Sequence, residues 1–105
     1  MHRMHIEHHE KNLRYTDREL ILLARKIGRL ATYCKRIKDE SSSIHIDAEE
    51  RDTKKKRDSI KISITIELPH KILRAESRRS DVSEAVDRCI EKLEPQIKRY
   101  KDLHI

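Results

Sequence analysis

The stretch Ser59–Leu68, SIKISITIEL, decides the fold. Ile60, Ile62, Ile64, Ile66 and Leu68 alternate with Lys61, Ser63, Thr65 and Glu67. Successive side chains on a strand point to opposite faces, so this period of two gives one dry face and one wet face. A sheet with one dry face needs a layer over it, and the remaining elements have to supply that layer.

Working outward, SIHIDAE at Ser43–Glu49 repeats the alternation with Ile44, Ile46 and Ala48. The charged run ERDTKKKRD, Glu50–Asp58, reads as an exposed connection between the two strands. On the other side, Pro69-His70 reads as a tight turn into a third strand, KILRAES, which completes an antiparallel meander. MHIEH, near the N-terminus, gives a short fourth strand.

Two segments carry helical period instead. Leu20, Leu23, Ala24, Ile27, Leu30, Ala31, Cys34 and Ile37 recur at three- and four-residue spacing, which aligns them on one helix face. Thr16 with Glu19 is a capping-box pair, so the helix is expected from Asp17 to Ile37, ~30 Å long, with KDESSS breaking it. Val82, Ala85, Val86, Cys89, Ile90, Leu93, Ile97 and Tyr100 mark a second helix, with Ser80 or Asp81 as its cap. The expectation is one α+β domain over residues 1–105, ordered β-α-β-β-β-α, with a four-stranded sheet and two helices packed on one face.

Composition narrows the function. The 105-residue chain has 42% charged residues and a formal net charge of +6, which favours an anionic partner. It has no Phe or Trp and three Tyr, so its core is aliphatic and it lacks the aromatic platforms on which single-stranded bases stack. Cys34 and Cys89 fall within apolar stripes and read as buried thiols, not a disulfide. No apolar run reaches transmembrane length and the N-terminus lacks a signal-peptide core, so the expectation is a cytoplasmic protein without a membrane partner.

Sites for chemistry are scarce. His2, His5, His8 and His9 suggest a metal, but three-residue spacing on a strand sends ligands to opposite faces, and no metal site is expected. Gly28 is the only glycine, so there is no phosphate-cradling loop; with Ala24 and Ala31 it forms a small-residue strip suited to close packing. No activated nucleophile or catalytic triad is recognisable, and neither catalysis, a cofactor nor a small-molecule substrate is expected.

The charge pattern is more informative. Arg18, Arg25, Arg29 and Arg36 follow at intervals of seven, four and seven, forming a stripe opposite the apolar face. From Arg18 to Lys38 there are seven basic residues and one acid, Glu19, so pairing along the helix cannot account for them. On the second helix Arg88, Lys92 and Arg99 share one shoulder, and Glu84, Asp87, Glu91 and Glu94 the other. If the helices lie side by side, the basic shoulder can join the first helix's stripe, with Arg74, Arg78 and Arg79 extending it at the strand-helix corner. Pro95 sits on that shoulder while the apolar period continues to Tyr100, so it is expected to kink the helix, first as a tolerated surface bend and alternatively as one that re-aims Lys98, Arg99 and Lys101.

The stretches MHIEHHEKNLRYT, RLATYCKRI and ILRAESRRSDVSEAVDRCIEKLEPQIKRYK resemble the short ribosome hibernation promoting factors, also called ribosome-associated inhibitors or sigma-54 modulation proteins. The resemblance implies the same element order and a factor that occupies the messenger and transfer RNA groove of the small ribosomal subunit, blocking initiation and preserving idle ribosomes. It implies ribosomal RNA contacts at Lys26 and Arg29 on the first helix and at Lys92, Arg99 and Lys101 on the second. Off the ribosome it implies a monomer, and it makes Met1 to Arg3 an extension before the usual start at Met4. The sequence departs from the family at Ser83, where an aromatic residue is often found, at the PHK turn in place of a glycine hairpin, and at Pro95, where a basic residue is common. Two other readings are a general double-stranded RNA module, disfavoured by the acidic helix start SDVSEAVD, and a protein-interaction domain whose charge is only solubilising.

Overall fold

The alternation of Ser59–Leu68 becomes the middle of a sheet in the computed structural model, which describes residues 5–34, 37, 42–51 and 58–104. The elements are β1 (His5–Lys11), α1 (Asp17–Tyr33), β2 (Ser43–Glu50), β3 (Ile60–Leu68), β4 (Lys71–Arg79) and α2 (Val82–His104). The strand order is β1-β2-β3-β4, with β1 parallel to β2 and the other two pairs antiparallel. The predicted α+β order is therefore observed, and the parallel pair follows from α1 serving as the crossover between β1 and β2.

Register carries the dry face across the sheet. Ile62 sits between Ala48 and Ser77, Ile64 between Ile46 and Ala75, and Ile66 between Ile44 and Leu73. All nine of these side chains are buried, beneath Leu23, Ile27, Leu30 and Ala31 of α1 and Val86, Cys89, Leu93 and Ile97 of α2. α2 packs closely on β4 because its neighbours there are small: the Ser77 hydroxyl donates to the Ala85 carbonyl at 2.5 Å, and the Cys89 thiol donates to the Ile62 carbonyl at 3.3 Å. Cys34 and Cys89 are both free and fully buried.

The turns and caps follow local chemistry. Thr16 Oγ1 accepts from the Glu19 amide at 3.1 Å while Glu19 Oε1 accepts from the Thr16 amide at 2.9 Å, the reciprocal bonds of a capping box. Asp81 caps α2, its carboxylate accepting from the Glu84 amide at 3.1 Å. In the β3-β4 turn, proline fixes the first corner and His70 takes the second with φ 68°, a left-handed position that glycine adopts more readily. Tyr100 Oη donates to the Pro69 carbonyl at 3.2 Å and holds this turn against α2.

Three expectations need correction. α1 ends at Tyr33, four residues early, because Cys34 turns to extended backbone (φ −131°, ψ 107°) while its side chain and that of Ile37 stay buried. Leu20 and Ala24 do not join the core: Leu20 is 43% exposed, since both lie on the flank of α1 turned away from α2, where no described residue buries them. Gly28 does not mark close packing either, because a Cβ there would meet no atom within 4 Å. Arg36, His2, Met1 to Arg3 and residues 52–57 of the charged connection lie outside the described residues. Among the described residues no helix is long and apolar enough to cross a membrane.

Candidate nucleic-acid interface

α1 presents its stripe as the spacing requires. Arg18, Arg25 and Arg29 are all exposed, and none makes a hydrogen bond or ion pair with a described residue. Arg14, in the segment that leads into α1, is likewise exposed and makes no hydrogen bond or ion pair with a described residue. Arg14 precedes the Thr16 cap of α1, where the chain is not helical, so helical spacing gives no signal for it. Four guanidinium groups that no acid pairs raise the local potential and suit binding of phosphate oxygens.

Lys26 belongs to a different structure. Its side chain is only 14% exposed and points into the junction with α2, where Nζ donates to Ser83 Oγ at 2.9 Å and to the Asp87 carboxylate. The groove running on from that junction is lined by Arg29, Leu30 and Tyr33 from α1 and by Asp87, Ile90, Glu91 and Glu94 from α2. The shoulder of α2 that faces α1 is thus the acidic one. The basic shoulder does not join the α1 stripe; it turns the other way, along β4, because the core stripe of α2 lies on β3 and β4 and leaves that shoulder at the sheet's edge.

Several of the basic residues are occupied at that edge. Lys92 Nζ donates to the Glu76 carbonyl at 2.6 Å, and Arg88 pairs with Glu91 at 2.9 Å on the exposed side of the helix. Arg79 donates to the Arg78 carbonyl at 2.6 Å, while Arg74 lies 3.9 Å from Glu76. Lys61, bonded to Glu76 at 3.3 Å, chiefly holds that carboxyl below its usual range, with Arg74 and Arg78 adding to the effect. At the far end of α2, Lys101 Nζ lies 4.3 Å from the centre of the Tyr33 ring and donates to the Tyr33 carbonyl at 3.0 Å. α1 has no basic residue in its own last turn, so Lys101 supplies the cation that a helix C-terminus favours. Lys98 and Arg99, by contrast, are exposed and unpaired among the described residues.

The unpaired basic residues of the two helices therefore lie apart: Arg18, Arg25 and Arg29 along α1, with Arg14 just ahead of it, and Lys98 and Arg99 toward the end of α2. Among the described residues no group of three or more His, Cys, Asp or Glu side chains is placed to hold a metal ion. The β1 histidines divide as their spacing requires, His8 under the helical layer and His5 with His9 on the open face.

Residues 6–104 match the sequence profile of a family described as sigma 54 modulation protein / S30EA ribosomal protein. The chain belongs to the sigma 54 modulation protein / S30EA ribosomal protein family. Solved structures share the S30EA fold. The chain is similar to a ribosomal subunit interface protein from Coxiella burnetii, with 25% identity and a TM-score of 0.74 over 94% of this chain and 99% of that one. It is also similar in fold to the N-terminal domain of Thermus thermophilus Protein Y, with 24% identity and a TM-score of 0.71 over 92% of this chain and 99% of that one. As a member of the S30EA family, the chain has the family its sequence resembles.

Proposed function

We propose that this protein binds the small ribosomal subunit through its ribosomal RNA, in the groove that messenger and transfer RNA use, and thereby holds idle ribosomes out of initiation under stress. The observation that carries the reading is the set of unpaired arginines along α1 and just ahead of it, Arg18, Arg25 and Arg29 with Arg14, on a chain of the S30EA family. An ion-paired surface would give such a charge count without phosphate affinity; a one-sign row is the footprint of backbone recognition. Contacts of this type register phosphate position and RNA shape, and selectivity for one groove then comes from fit. The role is binding, with no catalytic step and no cofactor.

Co-sedimentation with purified small subunits tests it. The protein is expected to travel with them at low salt, to be released at high salt, and to compete with transfer RNA. If Arg14, Arg18, Arg25, Arg29, Lys98 and Arg99 each neutralise one phosphate, affinity should fall by ~10³ between 50 and 200 mM salt. Absence of binding at low salt overturns the proposal, and equal affinity for any RNA duplex would replace it with a general RNA-binding module.

A further inference from the structure

Where the β3-β4 turn meets the last turns of α2, the surface is concave. A cavity of about 490 Å³ is lined there by Leu73, Pro95, Tyr100 and Leu103, with Lys71, Gln96 and Arg99 around them. Leu73 and Tyr100 are buried and form its floor, whereas Pro95 and Leu103 are exposed and stand as its walls; Leu103 is 72% exposed. The volume lies within the ~300–1,000 Å³ of small-ligand sites.

The charges around the cavity are of one sign. Lys71 and Arg99 are exposed and make no hydrogen bond or ion pair with a described residue, and no Asp or Glu lines the cavity. Gln96 is committed to the backbone of Arg74 and Lys92, so the two cations are the polar side chains left to meet a ligand. Lys71 comes from the start of β4 and Arg99 from α2, so they flank the apolar floor from different elements. The acids Asp87, Glu91 and Glu94 line the groove on the other shoulder of α2.

Pro95 sets the character of the wall. It stands on the basic shoulder with Lys92 and Arg99, where a long cationic side chain would carry charge across the cavity. The proline ring is short and apolar instead, and α2 runs on past it to His104. A ligand that fits this surface has a flat apolar body with a negative group on either side.

An unpaired nucleotide pushed out of an RNA stack has that form, because its base is apolar on both faces and a phosphate precedes and follows it. We propose that the cavity receives one unstacked nucleotide of the bound RNA, with the base against Leu73, Pro95 and Leu103 and the flanking phosphates on Lys71 and Arg99. The inference rests on the RNA-binding reading above and deepens it. The arginines of α1 register backbone position, whereas this cavity selects a bulge or loop over a continuous duplex. The contact is with aliphatic side chains, so it reads the unpaired state of the nucleotide more than the identity of the base.

Two RNA hairpins test it, alike except that a fluorescent adenine analogue is bulged from the stem of one and paired in the stem of the other. A bulged base costs least to extrude, so the bulged hairpin should bind about tenfold more tightly, toward the lower end of the effect of one base held by a side chain. Its fluorescence should rise as the base leaves the stack. Leu103→Ser should abolish the preference while circular dichroism shows unchanged helix content. Pro95→Arg should strengthen binding of both hairpins through its added charge and still remove the preference, which phosphate attraction alone does not produce. Arg29→Glu should weaken both hairpins and keep the preference. Equal affinity for the two hairpins, an unchanged fluorescence signal, or a preference that survives Leu103→Ser overturns this proposal and leaves the RNA reading standing; if neither hairpin binds at low salt, both fall. Amide shifts at Leu73 and Leu103 caused by an acidic, leucine-bearing peptide and by neither hairpin would assign the cavity to a protein partner and overturn the proposal as well.

Discussion

Gln96 meets the backbone of Arg74 twice, its Nε2 donating to the Arg74 carbonyl at 2.9 Å and its Oε1 accepting from the Arg74 amide at 3.3 Å. This is the bonding a neighbouring strand would provide, supplied by a side chain of α2. The same Nε2 reaches the Lys92 carbonyl at 3.1 Å, one residue beyond Pro95, where α2 lacks a backbone donor for the Glu91 carbonyl. α2 therefore runs through its proline to His104, fastened to β4 beside the interruption.

Gln96→Ala is expected to lower the unfolding free energy by about 1–2 kcal/mol, since three partly exposed hydrogen bonds are lost and two belong to a sheet edge. Gln96→Glu should fare no better, because a carboxylate cannot donate to the Arg74 carbonyl. Pro95→Ala should act in the opposite direction, by about 1–3 kcal/mol, through the restored amide. Urea denaturation of the three variants measures all of this, and an unchanged midpoint for Gln96→Ala would mean that the edge is closed by other groups.

Lys26 and Arg29 lie on the same helix yet should fail in different assays. Lys26→Met removes the partner of Ser83 and Asp87 at the helix junction and is expected to cost about 1–2 kcal/mol of stability. Arg29→Glu touches no internal partner and should leave stability within about 0.5 kcal/mol while weakening ribosome binding. Lys101→Ala belongs with Lys26: it should speed amide exchange in the last turn of α1 and leave ribosome affinity nearly intact. Paired denaturation and co-sedimentation measurements separate the two classes, and a Lys26→Met chain of full stability would remove the distinction.

What the sequence could show depends on whether the information is local. β3 was legible because its alternation is continuous over Ile60–Leu68, and the passage of α2 through Pro95 was legible because Leu93, Ile97 and Tyr100 keep the period on both sides of it. The end of α1 was not, because Cys34 and Ile37 stand at helical spacing and are both buried after the helix has stopped. Charge sorting on α2 was equally visible, but which shoulder faces α1 depends on how the core stripe settles on β3 and β4. Lys26 looked like one more surface cation because its partner Asp87 is 61 residues away.

Arg14 should behave as part of the α1 row. Arg14→Glu is expected to weaken small-subunit binding about as much as Arg18→Glu, and neutralising either should lower the salt slope by ~1. Titrations at several salt concentrations check this. A slope unchanged by Arg14→Glu would confine the row to the helix proper.

Acid should loosen β1 before it protonates the carboxylates. His8 stacks on Tyr15 with ring centroids 4.8 Å apart, and burial depresses its pKa, opposed by Glu10, whose carboxylate lies 3.7 Å from Nδ1. His8 Nε2 and the Tyr15 hydroxyl are both buried and have no hydrogen-bond partner among the described residues, so the stack favours a neutral imidazole. In the unfolded chain His8 takes its proton near the 6.5 of a free histidine, whereas the folded chain resists until lower pH. The unfolded state then binds more protons, so stability is full above that value, falls as pH drops through it, and levels off below the folded pKa. Glu7 and Glu76 are depressed from 4.5, by the hydrogen bonds of His5 and Lys61 first, and their stabilisation is lost only at still lower pH. Denaturation at pH 7.5 and 5.5, set on either side of the ~6.5 of a free histidine, isolates His8. His8→Phe keeps the stack and removes the titration, so it should flatten the slope; an equal slope in both proteins would assign it to another group.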